Sequence, residues 1–185
     1  MLHERVPNIA KLVEPDRVSG ECYTSQALFD REIERLWSRA WLFAGHESQV
    51  PRPGDFYAFD AARQPMVMLR NADRGITIVF DRCPHRGARL FGLRRGNIGE
   101  GIQCSYHGWR FHLDGRLDSI PYAKGYEGTR LRLGDTEYDL AQPPRVEAYR
   151  GFVFMSMNAD IAPLAEWLGE ARIGFDDMCE RSPVG

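Results

Sequence analysis

The chain has 185 residues, 43% of them hydrophobic, which suffices for one well-packed core and leaves little room for a second full domain. Its 24 Lys and Arg residues nearly balance its 26 Asp and Glu residues, giving a formal charge of −2, which argues against a nucleic-acid or anionic-membrane surface. Charges interrupt the amino terminus and no window reaches the ~20 apolar residues of a membrane span, so we expect a cytoplasmic protein without a signal peptide or membrane anchor.

The amino-terminal part of the chain predicts an arm followed by a helix. Residues 1–23 show no hydrophobic period, and we expect an irregular arm there. Thr24 or Ser25 then caps a predicted amphipathic helix, whose apolar side chains recur at helical spacing as far as Ala40.

The middle of the chain predicts antiparallel strands. Short β-prone runs at 65–70 and 75–80 flank a polar turn and predict a hairpin. A second strand pair is predicted at 145–149 and 152–155, with a tight turn at Arg150-Gly151. Beyond it, Pro163 opens a second amphipathic helix that we expect to run almost to Gly185.

Two short segments carry the chemistry, Cys83-Pro-His85-Arg-Gly87 and Cys104-Ser-Tyr-His107-Gly108. Each offers a thiolate and an imidazole from one tight loop, and the glycine lets the backbone pass close to an inorganic core. Zinc fingers usually place two Cys before two His, whereas the alternating order here matches a cluster with two Cys on one iron and two His on the other. The motif therefore predicts a Rieske-type [2Fe–2S] site, and a zinc site with the same four ligands is the alternative.

Such a site implies electron transfer. Two neutral imidazoles lower the negative charge of the cluster and ease its reduction relative to a cluster held by four thiolates. Respiratory-chain Rieske proteins carry a further cysteine in each loop and a serine after the second His-Gly, whereas this sequence has Trp109 at that position. With fewer hydrogen bonds to the sulfur atoms, we expect a potential toward the lower end of the Rieske range of roughly −150 to +300 mV.

The motif and its surroundings resemble the amino-terminal part of the α subunits of aromatic-ring-hydroxylating oxygenases, nearest the benzoate, toluate and anthranilate branch. The resemblance covers about residues 20–185, and its segments are 41–51, 64–68, 83–90, 104–111, 114–115 and 149–154. It implies a mainly β fold, a Rieske-type antiparallel β-sandwich with helices flanking it at both ends. We expect an arm and helix at 1–40, the Rieske domain at 41–160, and a helix at 161–185 that leads toward a catalytic domain absent from this chain.

The resemblance also assigns residues. Cys83 and Cys104 would bind the inner iron, and His85 and His107 the outer iron. The surrounding or docking residues would be Arg86, Gly87, Tyr106, Gly108 and Trp109, although simple core packing explains Tyr106 and Trp109 equally well. The loop at Pro121 resembles one that closes over the cluster, with an ordinary turn as the alternative.

Partners follow from the same resemblance. Electrons would come from a ferredoxin or a flavin/iron–sulfur reductase and pass to a mononuclear Fe(II) in the absent domain, within a homo- or hetero-oligomer of oxygenase subunits. Because His3, His46 and His112 show no paired spacing, we expect no second iron here and no hydroxylation by this chain alone. Four arginines between the ligand loops form either a docking patch for an acidic ferredoxin or a solvated face: Arg86, Arg89, Arg94 and Arg95. A free-standing electron carrier and a structural zinc module are the competing functions.

Overall fold

The computed structural model describes residues 7–182, and its strands are short and antiparallel throughout. The strands are β1 (Val13–Glu14), β2 (Arg17–Val18), β3 (Leu42–His46), β4 (Asp55–Ala61), β5 (Gln64–Arg70), β6 (Ile76–Phe80), β7 (Arg95–Asn97), β8 (Gly101–Gln103), β9 (Arg110–His112), β10 (Leu117–Ser119), β11 (Arg145–Tyr149) and β12 (Phe152–Ser156). The α-helices are α1 (Glu21–Thr24), α2 (Gln26–Glu32), α3 (Leu164–Leu168) and α4 (Ala171–Arg181). This arrangement confirms the predicted mainly β fold with flanking helices.

A four-stranded sheet in the order β6-β5-β4-β7 lies at the centre. Its strand β5 is buried on both faces, because successive side chains of a strand point to opposite sides. Val67 and Leu69 pack into one core, whereas Met66 and Met68 pack into another. The predicted 65–70 and 75–80 hairpin is confirmed, since β5 pairs with β6 from Met66↔Phe80 to Arg70↔Ile76.

A three-stranded sheet in the order β10-β9-β8 covers one face of the central sheet. The core between the two sheets contains Phe111 and Trp109, together with both motif cysteines, Cys83 and Cys104. The ligand loops therefore begin in packed apolar surroundings.

A third sheet in the order β11-β12-β3 covers the other face. Its β11–β12 pair confirms the second predicted hairpin, with Tyr149 opposite Phe152. The two turn residues, Arg150 and Gly151, have φ angles of +53° and +86°, the left-handed pair that a two-residue hairpin turn requires. Helices α3 and α4 pack on the outer face of this sheet, against Trp41 and Phe154 among others.

Both predicted helices were wrong in extent. Ser25 does cap α2 by accepting from the Leu28 N–H at 3.3 Å, but α2 ends at Glu32 and a π-helical turn follows at Ile33–Trp37. That turn closes through a Ser38 N–H to Ile33 carbonyl bond at 3.1 Å, five residues apart, so the helical period on which the prediction relied is interrupted. The carboxy-terminal helix is divided at Gly169, whose φ of +50° cannot continue a right-handed helix.

The amino-terminal arm is more ordered than predicted. In its described part, a 3-10 turn (Ile9–Lys11) precedes the β1–β2 hairpin, and an ion pair between Arg17 and Glu14 at 2.9 Å closes that hairpin. The remainder of the predicted arm, residues 1–6, and the end of the predicted last helix, 183–185, lie outside the described residues. None of the helices within residues 7–182 has the length and hydrophobicity of a membrane span.

Candidate metal centre

The two motif loops have the same backbone turn. The first follows β6 and the second joins β8 to β9. In each, the N–H of the cysteine donates to the carbonyl of the residue five positions later at 2.8 Å, and the glycine four positions later donates to the cysteine carbonyl at 2.9 Å. Those glycines, Gly87 and Gly108, have φ angles of +70° and +72°, a region that residues with a Cβ rarely adopt. The turn therefore explains the glycine that follows each histidine of the motif.

The two cysteines form a buried sulfur pair. Cys83 and Cys104 are each 2% exposed, and their side chains are close enough to hydrogen-bond each other. Burial raises the pKa of the Cys83 thiol to about 11, and the Cys104 side chain acts in the same direction, while hydrogen bonds from the His85 and Arg86 N–H groups oppose the rise. Two neighbouring thiolates in this setting require a cationic centre between them, and bound iron would supply that charge.

The two histidines form a second pair, closer to the surface. His85 and His107 are half-buried, and their ring centroids lie 4.7 Å apart. The Nδ1 atom of His107 is buried and has no hydrogen-bond partner among the described residues. Partial burial lowers the pKa of His85, as do the neighbouring His107 and Arg86, so its imidazole is neutral and able to bind a metal. A buried nitrogen without a partner is unfavourable unless a ligand satisfies it, and a metal would do so here.

The four donors lie as two pairs. Within residues 7–182, no three His, Cys, Asp or Glu side chains surround one point closely enough to hold a single metal ion. A tetrahedral zinc site needs four ligands around one ion, whereas a two-iron core takes two protein ligands on each metal. The sulfur pair and the imidazole pair match this arrangement of two protein donors for each of two irons.

Sequence reasoning missed a buried carboxylate that holds the first loop. Asp81 lies between β6 and Cys83, and its side chain is fully buried. Its oxygens accept from Arg89 Nε at 2.8 Å and from the N–H groups of Leu90 and Phe91 at 2.8 and 2.9 Å. A lone acidic residue at the end of an apolar strand, two positions before a candidate ligand, is the sequence signal that marks it.

The turn that follows Ile120 contacts both motif loops, through one residue that the sequence analysis named and one that it missed. A Cβ on Gly108 would lie 2.9 Å from Pro121 Cγ, so Pro121 packs directly on the second ligand loop, as the resemblance implied. Further along, the Tyr126 hydroxyl lies 3.5 Å from His85 Nε2, beside the first loop. No motif in the sequence marks Tyr126, because this contact joins residues 41 positions apart.

The aromatic residues of the second loop differ in their surroundings. Trp109 is 1% exposed and stacks on the His85 ring, with centroids 4.9 Å apart and planes 4° apart. Tyr106 is 61% exposed, and its ring centroid lies 3.8 Å from that of His107. Trp109 is therefore a core residue that also contacts a candidate ligand, whereas Tyr106 is not part of the core.

The four candidate docking arginines are all exposed, and only one has an ion pair. Arg89 is bound to Asp81, and Arg94 donates to the Tyr57 hydroxyl at 3.1 Å. Within the described residues, Arg86 and Arg95 have no carboxylate within 4.0 Å. Arg86 and Arg95 thus keep positive charge that is open to a partner or to solvent.

The remaining histidines lie apart from the metal centre. His46 hydrogen-bonds Ser48 Oγ at 2.9 Å in a turn after β3, and His112 faces Asp118 at 3.7 Å. His3 lies outside the described residues.

Residues 40–143 match the family described as the Rieske [2Fe-2S] domain. The chain belongs to this family. The family description includes a [2Fe–2S] cluster, and the matched range contains both motif loops. The proposed boundaries at 40/41 and 160/161 remain predictions.

Similar proteins are α subunits of aromatic dioxygenases and related Rieske oxygenases. The toluate 1,2-dioxygenase α subunit of Pseudomonas putida is 36% identical over 190 aligned positions, which cover all of this chain and 42% of that subunit. A naphthalene 1,2-dioxygenase from Rhodococcus sp., solved with indole bound, is 27% identical with a TM-score of 0.79, covering 86% of this chain and 36% of that one.

A third similar protein is a quaternary ammonium Rieske monooxygenase, described in connection with carnitine oxidation by gut microbiota and inter-subunit electron transfer. It is 27% identical with a TM-score of 0.75, covering 86% of this chain and 42% of that one. The chain thus spans less than half the length of these relatives. The resemblance to aromatic oxygenase α subunits and the Rieske β-sandwich fold are confirmed.

Proposed function

We propose that this chain carries single electrons through a [2Fe–2S] cluster to a mononuclear iron site of an aromatic-ring dioxygenase that lies outside these residues. Cys83 and Cys104 would hold the inner iron, and His85 and His107 the outer iron. When bound, such a cluster takes up and releases one electron. The observation that carries the proposal is the pairing of two buried sulfurs with two half-buried imidazoles, one of which has an unpartnered buried Nδ1.

The two sides of the proposed cluster differ in their access to solvent and to partner proteins. The thiolate side is enclosed by the core between the two sheets, so water and partner proteins do not reach it. The imidazole side is half-exposed and bordered by the exposed Tyr106, so a partner that binds there comes within a few atoms of the outer iron. The two histidines therefore serve both as ligands and as the contact through which electrons leave or enter.

The electron donor, on this proposal, is an acidic ferredoxin or the ferredoxin-like domain of a reductase. The exposed guanidinium groups of Arg86, Arg94 and Arg95 lie in and beside the segment that connects the ligand loops, and Arg86 and Arg95 have no ion pair within the described residues. Complementary charge of this kind raises association rates and orients an encounter complex.

The electron acceptor is proposed to be in a neighbouring oxygenase subunit. Inter-subunit electron transfer is described for the quaternary ammonium monooxygenase that shares this fold. An aromatic substrate is favoured, because the similar toluate and naphthalene dioxygenases act on aromatic compounds. We also propose a cytoplasmic location, and a Rieske domain at 41–160 flanked by 1–40 and 161–185.

The deciding experiment is anaerobic reconstitution with iron and sulfide, followed by metal analysis, visible absorption and electron paramagnetic resonance (EPR). We expect two irons and two sulfides per chain, and after reduction an EPR signal whose nitrogen couplings come from two histidines. Cys104→Ser is expected to lose the cluster, whereas Cys179→Ser, at a cysteine near the carboxyl end of α4, is expected to keep it. A colourless protein with one zinc per chain would refute the proposal in favour of a structural zinc module.

A further inference from the structure

The turn that contains Pro121 and Tyr126 touches both ligand loops. Pro121 packs on Gly108 of the second loop, and the Tyr126 hydroxyl lies 3.5 Å from His85 Nε2 of the first. The segment between them is a 3-10 turn, Ala123–Tyr126, that begins at Tyr122 with a φ of +57°. We call residues 121–126 the capping turn.

Hydrogen bonds hold the capping turn in shape. The Gly125 N–H donates to the Tyr122 carbonyl at 2.8 Å, and the Thr129 hydroxyl donates to the Tyr126 carbonyl at 2.7 Å. The Tyr126 ring is half-buried and packs against the core that contains the cysteines. Its ring centroid lies 6.1 Å from that of Trp109, nearly perpendicular to it. Tyr126 is therefore a fixed part of the site and not a loose surface residue.

His85 is surrounded by aromatic rings on several sides. Trp109 stacks on its face, His107 meets it at 65°, and Tyr126 meets it at 76°. Stacking fixes the plane of an imidazole but does not fix its rotation within that plane. Among the described residues, the Tyr126 hydroxyl is the one side-chain group within hydrogen-bond distance of a ring nitrogen of His85. The distance of 3.5 Å is at the outer limit of such a bond.

We propose that Tyr126 is a positioning residue for the outer-iron ligand His85, and that its hydroxyl oxygen accepts the Nε2–H of the coordinated imidazole. This assignment rests on the proposed function. A histidine that binds a metal through one nitrogen carries its hydrogen on the other, and an oxygen that accepts this hydrogen makes the imidazole a stronger electron donor. A stronger donor favours the oxidised cluster over the reduced cluster. Tyr126 thus holds the ring and lowers the reduction potential.

The test is Tyr126→Phe in the reconstituted, cluster-loaded chain, with Tyr138→Phe as the matched control. Tyr138 is also half-buried and its ring centroid lies 6.2 Å from that of Trp109, but neither a hydrogen bond nor a ring pair joins it to His85 among the described residues. We expect both variants to keep the wild-type iron content. In Tyr126→Phe the ratio of reduced to oxidised cluster at a fixed applied potential should rise about threefold, because part of one hydrogen bond is lost. That change equals a midpoint shift of about +30 mV for a one-electron couple.

Pulsed EPR supplies a second readout. The coupling of one remote histidine nitrogen should change in Tyr126→Phe and stay unchanged in Tyr138→Phe. If Tyr126→Phe does not retain its cluster, 3-fluorotyrosine at position 126 keeps the ring and the hydroxyl but makes the oxygen a poorer acceptor, and a smaller positive shift is then expected.

The outcomes separate this assignment from the proposed function. A wild-type chain that assembles no [2Fe–2S] cluster overturns both. A wild-type chain with a normal cluster, whose potential and nitrogen couplings are unaffected by the change at position 126, overturns the assignment alone. An equal shift in the Tyr138→Phe control also overturns it, because the effect would then come from packing around Trp109.

Discussion

Asp81→Ala should destabilise the protein strongly and loosen the first ligand loop. The carboxylate is fully buried and accepts two backbone N–H groups and the Arg89 Nε. Removing it leaves the Leu90 and Phe91 N–H groups without an acceptor, and each such buried group costs about 1–3 kcal/mol. The Arg89 pair adds little, since that side chain is 64% exposed. The expected loss is about 3–5 kcal/mol.

Urea unfolding of the cluster-loaded chain measures this loss through far-UV circular dichroism, and visible absorption at low urea measures release of the cluster. The residues that Asp81 anchors, 82–91, include the first ligand loop. In Asp81→Ala we therefore expect the visible absorbance of the cluster to be lost at a lower urea concentration than the far-UV circular dichroism signal. Asp60→Ala, at an exposed carboxylate on β4, is the control and should stay within about 0.5 kcal/mol of wild type. A loss below about 1 kcal/mol for Asp81→Ala, or simultaneous loss of both signals, would refute the anchoring role.

Three further changes probe the ligands, the docking face and acid stability. His107→Cys should keep a cluster but lower its midpoint potential in a redox titration, because an added thiolate makes the centre more negative. An unchanged potential would contradict the ligand assignment. Arg94→Glu with Arg95→Glu should slow reduction by an acidic ferredoxin about tenfold at low salt in stopped-flow mixing, and the difference from wild type should shrink as salt is added. Equal reduction rates for the variant and for wild type would indicate that these arginines form a solvated face and not a docking patch. Asp55 accepts from Asn97 Nδ2 at 2.8 Å and from the Arg52 N–H, and these bonds hold the pKa of its carboxyl below the usual range. Its stabilisation is therefore complete above the unfolded-state pKa of ~3.9 and is lost as the pH falls through the folded-state pKa. The free energy of unfolding, measured from pH 6 to pH 3, should depend less on pH in Asp55→Asn than in wild type. An unchanged slope would show that the Asp55 carboxylate does not contribute to the acid stability.

Features encoded within a few residues were predictable from the sequence. The hairpin turn at Arg150-Gly151 and the ligand loops ending in Gly87 and Gly108 each depend on local backbone conformations that particular residues favour. Their positions could therefore be read from spacing alone. The fold class followed from the resemblance, which those same short motifs carry.

Features that depend on tertiary contacts were missed or misjudged. Tyr126 reaches His85 across 41 positions, and nothing in its own neighbourhood indicates that contact. Asp81 is marked in the sequence by its place at the end of an apolar strand, but its bonds to the Leu90 and Phe91 N–H groups are not. The apolar spacing after Pro163 predicted one continuous helix, yet Gly169 divides it into two helices that both pack on the same sheet, through Leu164 and Phe175. Periodicity reports which residues face a core but not whether the backbone between them is continuous.

The two ligand loops share the same backbone turn, but a side chain of the second loop also packs on the histidine of the first. The position after the glycine holds Ala88 in the first loop and Trp109 in the second, and the tryptophan extends across to stack on His85. The orientation of the first-loop histidine thus depends on a residue of the second loop. The first loop alone therefore does not fix the orientation of its histidine. Trp109→Ala is expected to disturb the His85 side of the centre more than the His107 side. Nitrogen couplings in pulsed EPR distinguish the two histidines, and an equal disturbance of both would show that Trp109 acts only as core packing.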